Sequence, residues 1–119
     1  MVMQSTRELR PDGKLRLPPG QHLTTGWPVL HYGNIPRIEL ETWRFHVWGL
    51  FEEEKTFTCE EFNALGQVTD VSDIHCVTTW SKFDNEWQGV PFTALLDAIK
   101  LKPEAKYAMI HCYGWYTTN

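Results

Sequence analysis

The sequence predicts an α+β fold, a mixed β-sheet with short helices, and three observations carry that expectation. Trp43-Arg44-Phe45-His46-Val47-Trp48-Gly49-Leu50 alternates with period two. Trp43, Phe45 and Val47 share one face and Arg44, His46 and Trp48 the other, as in a half-buried strand. Thr58-Cys59-Glu60-Glu61 is a capping box, in which the hydroxyl of Thr58 and the carboxylate of Glu61 satisfy each other's backbone amides at a helix start. Strands and short helices then follow one another without a regular βαβ rhythm, which points to α+β rather than a doubly wound sheet.

The elements follow in order. Residues 1–20 are polar and broken by Pro11-Asp12-Gly13 and Pro18-Pro19-Gly20. They read as an extended surface lead-in, with a domain boundary expected after residue 17 and one domain over 18–119. Residues 23–36 form a loop punctuated by Gly26, Pro28, Gly33 and Pro36, yet they hold Trp27, Val29, Leu30, His31 and Tyr32. So apolar a loop either covers the core or faces a ligand. After strand 43–50, Glu52-Glu53-Glu54-Lys55 reads as a solvated turn into a partner strand, Thr56-Phe57-Thr58. The capped helix runs through Leu65, with Phe62 and Leu65 facing the core and Gly66 a left-handed stop. Residues 71–79 are β-branched and read as a strand ending in a turn. Residues 80–89 read as a long irregular loop. In the helix of residues 94–100, Leu95, Leu96 and Ile99 make the buried stripe, and Pro103 blocks continuation. Residues 106–113 alternate as a final strand, and Gly114-Trp115-Tyr116-Thr117-Thr118-Asn119 follows.

Composition excludes several classes of function. The chain has 119 residues, enough for one domain, and a formal net charge of −4. A nucleic-acid binder would show a basic stripe instead. The hydrophobic share of 42% and charged share of 22% are globular rather than disordered. No apolar run reaches the roughly 18 residues of a membrane helix. The first seven residues hold no apolar core of a secretory leader, so a cytoplasmic location is expected. Six Trp, six Phe and four Tyr are many rings for a small core, so some of them line a site or await further packing.

Three cysteines, Cys59, Cys76 and Cys112, give neither a disulfide framework nor a paired metal knuckle. His-Cys occurs twice, at His75-Cys76 and His111-Cys112, but neighbours on a strand point to opposite faces. Three chemistries remain open. Cys76 and Cys112 could join a histidine in a small Cys/His metal-binding module. A Cys/His hydrolase would need one thiolate and a distant base. Alternatively, Cys76, at a strand end before Trp80, Ser81, Lys82 and a long loop, could be the single thiolate ligand of a soft redox metal held by an organic cofactor.

A resemblance favours the last. Pro18-Pro19-Gly20-Gln21, the run from Gly26 through His31 to Gly33, Trp43-Arg44-Phe45 with Trp48-Gly49-Leu50, Asp73-Ile74-His75-Cys76-Val77-Thr78-Thr79-Trp80-Ser81, Trp87-Gln88-Gly89-Val90-Pro91 and Tyr116-Thr117-Thr118-Asn119 together resemble one family. It is the sulfite-oxidase-like molybdopterin-dependent oxidoreductases, in particular the small bacterial proteins of the cofactor-domain type. The resemblance runs from about Pro18 to the end and is most specific around Cys76. It implies a mononuclear molybdenum centre (tungsten being the other option) held by one molybdopterin dithiolene, with Cys76 as catalytic thiolate ligand. It also implies the sulfite-oxidase fold and two-electron oxygen-atom transfer. Carried across by position, Leu30, His31 and Tyr32 would contact the pterin, and Cys112 would be a small side chain near the cofactor. Thr117, Thr118 and Asn119 would border the site. A small oxo-acceptor or oxo-donor would be the substrate. Since the sequence holds no CxxCH haem motif, a separate electron-transfer protein would be the redox partner. Neither nucleic acid nor membrane is an expected partner.

Two departures qualify the resemblance. The family pattern Cys-Val-Thr-Arg-Trp-Ser has Arg where this chain has Thr79, which removes a guanidinium that could anchor an anion. The family domain also continues past Tyr-Thr-Thr-Asn, so the chain is expected to be the N-terminal portion of that domain. The alternatives at this level are an inactive truncated scaffold fragment and the Cys/His module.

Overall fold

The computed structural model describes residues 7–119. The start of the lead-in expected over residues 1–17 therefore lies outside the described residues. In chain order the elements are β1 (His22–Leu23), β2 (Arg44–Val47), β3 (Lys55–Thr58), α1 (Cys59–Asn63), β4 (Val68–His75), β5 (Trp80–Gly89), α2 (Phe92–Ala98), β6 (Ile110–His111) and β7 (Thr117–Thr118). Strands in small sheets with two short helices make the fold α+β. Neither helix is long and apolar enough to cross a membrane. The chain divides into two compact units, residues up to 29 with 69–87, and residues 30–68 with 88–119.

The second unit holds an apolar core cluster. β2 and β3 pair antiparallel, Phe45 opposite Phe57 and Val47 opposite Lys55. The predicted alternation is observed: Val47 and Phe57 are buried and join Leu95 and Ile99 of the second helical segment, with Phe45, Phe62, Leu65 and Leu96 packed against them. Phe62 reaches Phe45 at 4.7 Å and Trp43 at 5.6 Å between ring centres. The carboxylates Glu52, Glu53 and Glu54 are exposed, as a solvated turn requires.

Both halves of the capping box form. The amide of Glu61 donates to Thr58 Oγ1 at 3.2 Å, and the amide of Thr58 donates to Glu61 Oε2 at 2.8 Å. The helix ends earlier than expected, at Asn63 with Ala64 as its cap. Gly66 takes φ +101°, the left-handed conformation foreseen for it.

The first unit is built on a three-stranded sheet of order β1-β5-β4. β1 runs parallel to β5, with His22 beside Trp80 and Leu23 beside Ser81. The four residues 76–79 that join β4 to β5 are too few for a crossover, so these two strands form a hairpin.

Two segments depart from the sequence expectations. Residues 80–89 are the longest strand of the chain rather than an irregular loop. Its inward positions are Ser81, Phe83 and Asn85, all buried. Two of the three are polar, so the period-two signal vanishes on any hydrophobicity count. The fold tolerates them because each is bonded: Asn85 donates to the carbonyls of Ser72 and Lys82. Conversely, only Ile110 and His111 of the expected strand over residues 106–113 pair, with Thr118 and Thr117. Tyr107 is 97% exposed and Met109 59%, so the alternation there has no surface to bury against.

Candidate functional site

Cys76 sits in the β4–β5 turn. Its amide donates to the carbonyl of Trp80 at 2.9 Å, and its carbonyl accepts the amide of Thr79 at 3.0 Å, closing a tight loop with a bulge. Thr79 takes φ +75° to complete it, a conformation a β-branched residue adopts only under strain. The position expected to hold Arg is therefore the left-handed corner of this turn.

The residue is half-buried and its thiol is in no disulfide. Its sulfur lies 3.2 Å from Thr78 Oγ1. That hydroxyl, and after it the amides of Thr78 and Val77, hold the Cys76 thiol below the usual thiol range, against a desolvation effect in the other direction.

Around the turn the first unit is aromatic and polar by layers. Trp80 is 7% exposed, and its indole Nε1 is buried without a hydrogen-bond partner. Trp27 meets the Trp80 ring edge-on at 6.0 Å and the Trp87 ring at 5.7 Å. Lys82 Nζ lies 5.0 Å from the centre of the Trp27 ring and donates to Asn85 Oδ1 at 2.8 Å. Lys82 is thus tied down on a ring and an amide.

The other residues singled out from sequence belong to the second unit. Leu30, His31 and Tyr32 line a cleft of about 460 Å³ with Tyr113 and Tyr116. Tyr32 and Tyr116 are in ring contact at 5.9 Å. His31 Nδ1 is 2.7 Å from the Gly33 carbonyl, which can only accept, so Nδ1 carries the proton and Nε2 is the remaining ring nitrogen. Cys112 is exposed at the root of the 112–116 turn, its amide donating to the Tyr116 carbonyl at 2.8 Å. Thr117 and Thr118 form β7, which pairs with β6. The structure thus gathers Leu30, His31 and Tyr32 round one cleft, while Cys76 stands in the other unit with its own neighbours.

The donor set around Cys76 bears on the implied cofactor. Among the described residues no group of three or more His, Cys, Asp or Glu side chains could hold a metal ion. A zinc-type Cys/His centre has no basis among them. A lone soft sulfur donor on an open turn suits a metal whose remaining ligands come from an organic group, so the residues present fit a metal–dithiolene cofactor.

Gln21, His75 and Ser81 also meet at this turn, although sequence patterns did not single them out as site residues. Their one signal was their place within the motifs that carry the family resemblance.

Comparison with known proteins places the chain in a family. The oxidoreductase molybdopterin binding domain family matches residues 32–119. The chain is 38% identical over 120 residues to uncharacterized oxidoreductase YuiH of Bacillus subtilis (strain 168), covering all of this chain and 60% of the relative. It is 32% identical over 104 residues to a protein of Azospira oryzae named "Putative protein-methionine-sulfoxide reductase subunit YedZ1", covering 85% of this chain and 39% of that one. The chain therefore spans less than two thirds of either relative. No solved structure matches it. With residues 32–119 matched and an α+β fold of the sulfite-oxidase-like kind, the chain belongs to the family of oxidoreductase molybdopterin-binding domains.

Proposed function

We propose that this chain is the thiolate-bearing part of a molybdopterin-dependent oxidoreductase, with Cys76 as the protein's ligand to the metal. The observation that carries the reading is the setting of the Cys76 sulfur, where the Thr78 hydroxyl and two amides favour thiolate without a neighbouring base. When bound, a mononuclear molybdenum or tungsten dithiolene centre supplies two-electron oxygen-atom transfer. Cys76 contributes a soft sulfur donor. Leu30, His31 and Tyr32 seat the pterin by apolar contact and by the free Nε2 of His31, and Cys112 leaves room beside it.

The substrate is a small oxo-acceptor or oxo-donor. The name of the Azospira relative puts a sulfoxide first. Its reduction takes two electrons and two protons and gives a sulfide and water, with a separate electron-transfer protein as the source of electrons.

Metal analysis combined with detection of the oxidised, fluorescent pterin after denaturation tests the reading. Molybdenum or tungsten together with pterin, close to one per chain, is expected. Zinc without pterin would establish a Cys/His module instead, and neither metal nor pterin an inactive scaffold.

A further inference from the structure

Hydrogen bonds stitch residues 21–24 to the Cys76 turn and the strand after it. Gln21 Nε2 donates to the Cys76 carbonyl at 3.0 Å. The amide of His22 donates to the Thr79 carbonyl, and that of Thr24 to the Ser81 carbonyl, both at 2.9 Å. Of these, only the Gln21 contact is made by a side chain, and only it reaches the residue that bears the thiol.

A carboxamide can be set either way round, but here its orientation is dictated. The Cys76 carbonyl can only accept, so the Gln21 nitrogen must face it. Gln21 Oε1 is thereby turned to Ser81 Oγ, 2.9 Å away, and takes the hydroxyl proton. Ser81 Oγ lies 2.7 Å from His75 Nδ1 and, its proton spent, accepts from that nitrogen. Every bond in the chain His75–Ser81–Gln21–Cys76 then has one direction. Ser81 is 0% exposed, so its hydroxyl could not replace a lost partner with water, and a reversed Gln21 would set oxygen against the Cys76 oxygen.

The turn needs such a hold. Thr79 is strained at φ +75°, and within residues 76–80 only two backbone hydrogen bonds oppose that strain. We infer that Gln21 is a positioning residue for Cys76: its carboxamide, oriented by Ser81 and His75, clamps the Cys76 carbonyl and so fixes the turn that presents the sulfur. The inference rests on the reading of Cys76 as the metal's thiolate ligand.

Amide hydrogen exchange on the whole chain without metal tests the clamp separately from that reading. Gln21→Glu keeps the size and still accepts from Ser81, but it puts an oxygen against the Cys76 carbonyl. The amides of Cys76 and Thr79 are expected to exchange about fivefold to thirtyfold faster in Gln21→Glu and in Gln21→Ala, with the β2–β3 amides unchanged. Unchanged exchange at Cys76 and Thr79 overturns the clamp. So does a general acceleration in both units with a lowered melting temperature, since Gln21 would then serve stability alone.

Molybdenum content after expression in a host that makes the cofactor gives the second readout. Gln21→Glu is expected to load at least fivefold less than wild type. Full loading of Gln21→Glu beside loss in Cys76→Ser overturns the positioning role. Full loading of Cys76→Ser instead overturns the ligand reading, and the exchange result then decides the clamp.

Discussion

Arg16 and Asp73 meet fork to fork: Nε donates to Oδ2 and Nη2 to Oδ1, both at 2.7 Å. The same guanidinium bonds Glu8 and Asp84 and stacks 4.2 Å from the centre of the Phe83 ring. Asp73 in turn accepts the amide of Asp84 at 3.0 Å, at the point where Asp84 takes φ +53°. One arginine from the segment read as a surface lead-in thus ties β5 at Asp84 to β4 at Asp73, in the strand pair whose turn carries Cys76.

This pairing makes stability acid-sensitive. The Arg16 guanidinium holds the Asp73 carboxyl below the usual carboxylate range, and Asp73 raises Arg16. A carboxyl depressed in the folded state stabilises the fold above its unfolded pKa, about 4, and that contribution is lost as pH falls through the folded value. Asp73→Asn is expected to cost about 2 kcal/mol at pH 7. Below pH 4 the gap to wild type should narrow. Denaturant unfolding at pH 7 and pH 3 measures both, and an equal gap at the two pH values would contradict the pairing.

The capping box predicts a smaller effect. Thr58→Ala removes the acceptor for the Glu61 amide and is expected to destabilise by about 1 kcal/mol, with Thr58→Ser close to wild type. Thermal melting of the two variants makes the comparison.

Leu95 is buried among Val47, Phe57 and Ile99. Leu95→Ala removes three carbons from the largest apolar cluster among the described residues, and a loss of about 3 kcal/mol is expected. Urea unfolding followed by tryptophan fluorescence reads it.

Thr79 is a left-handed corner. Thr79→Gly should relieve strain and raise stability by about 1 kcal/mol, whereas Thr79→Arg, which keeps a Cβ at the same φ, should bring no gain. Equal melting temperatures for these two variants would show that φ at residue 79 carries no strain.

What the sequence disclosed follows from which forces write themselves into residue type. Phe45 and Val47 alternate against one core, and Thr58 with Glu61 satisfies local amides, so the β2–β3 hairpin and α1 were legible. β5 was not, because its inward Ser81 and Asn85 are polar and are satisfied by partners distant in sequence, namely Gln21 and the carbonyl of Ser72. Residues 106–113 misled in the opposite direction: Tyr107 and Met109 alternate as a strand would, with nothing to pack on. Cys76 stands out in the sequence only through the residues that flank it. The clamp from Gln21 spans 55 positions and leaves no local pattern.

The central claim is that one thiolate of this chain holds the metal. Metal content per chain, measured in parallel on wild type and Cys76→Ser expressed in the same cofactor-producing host, tests it most directly. Wild type should carry molybdenum or tungsten near one per chain, and Cys76→Ser should lose it while keeping its melting temperature. Equal metal content in the two proteins would contradict the account.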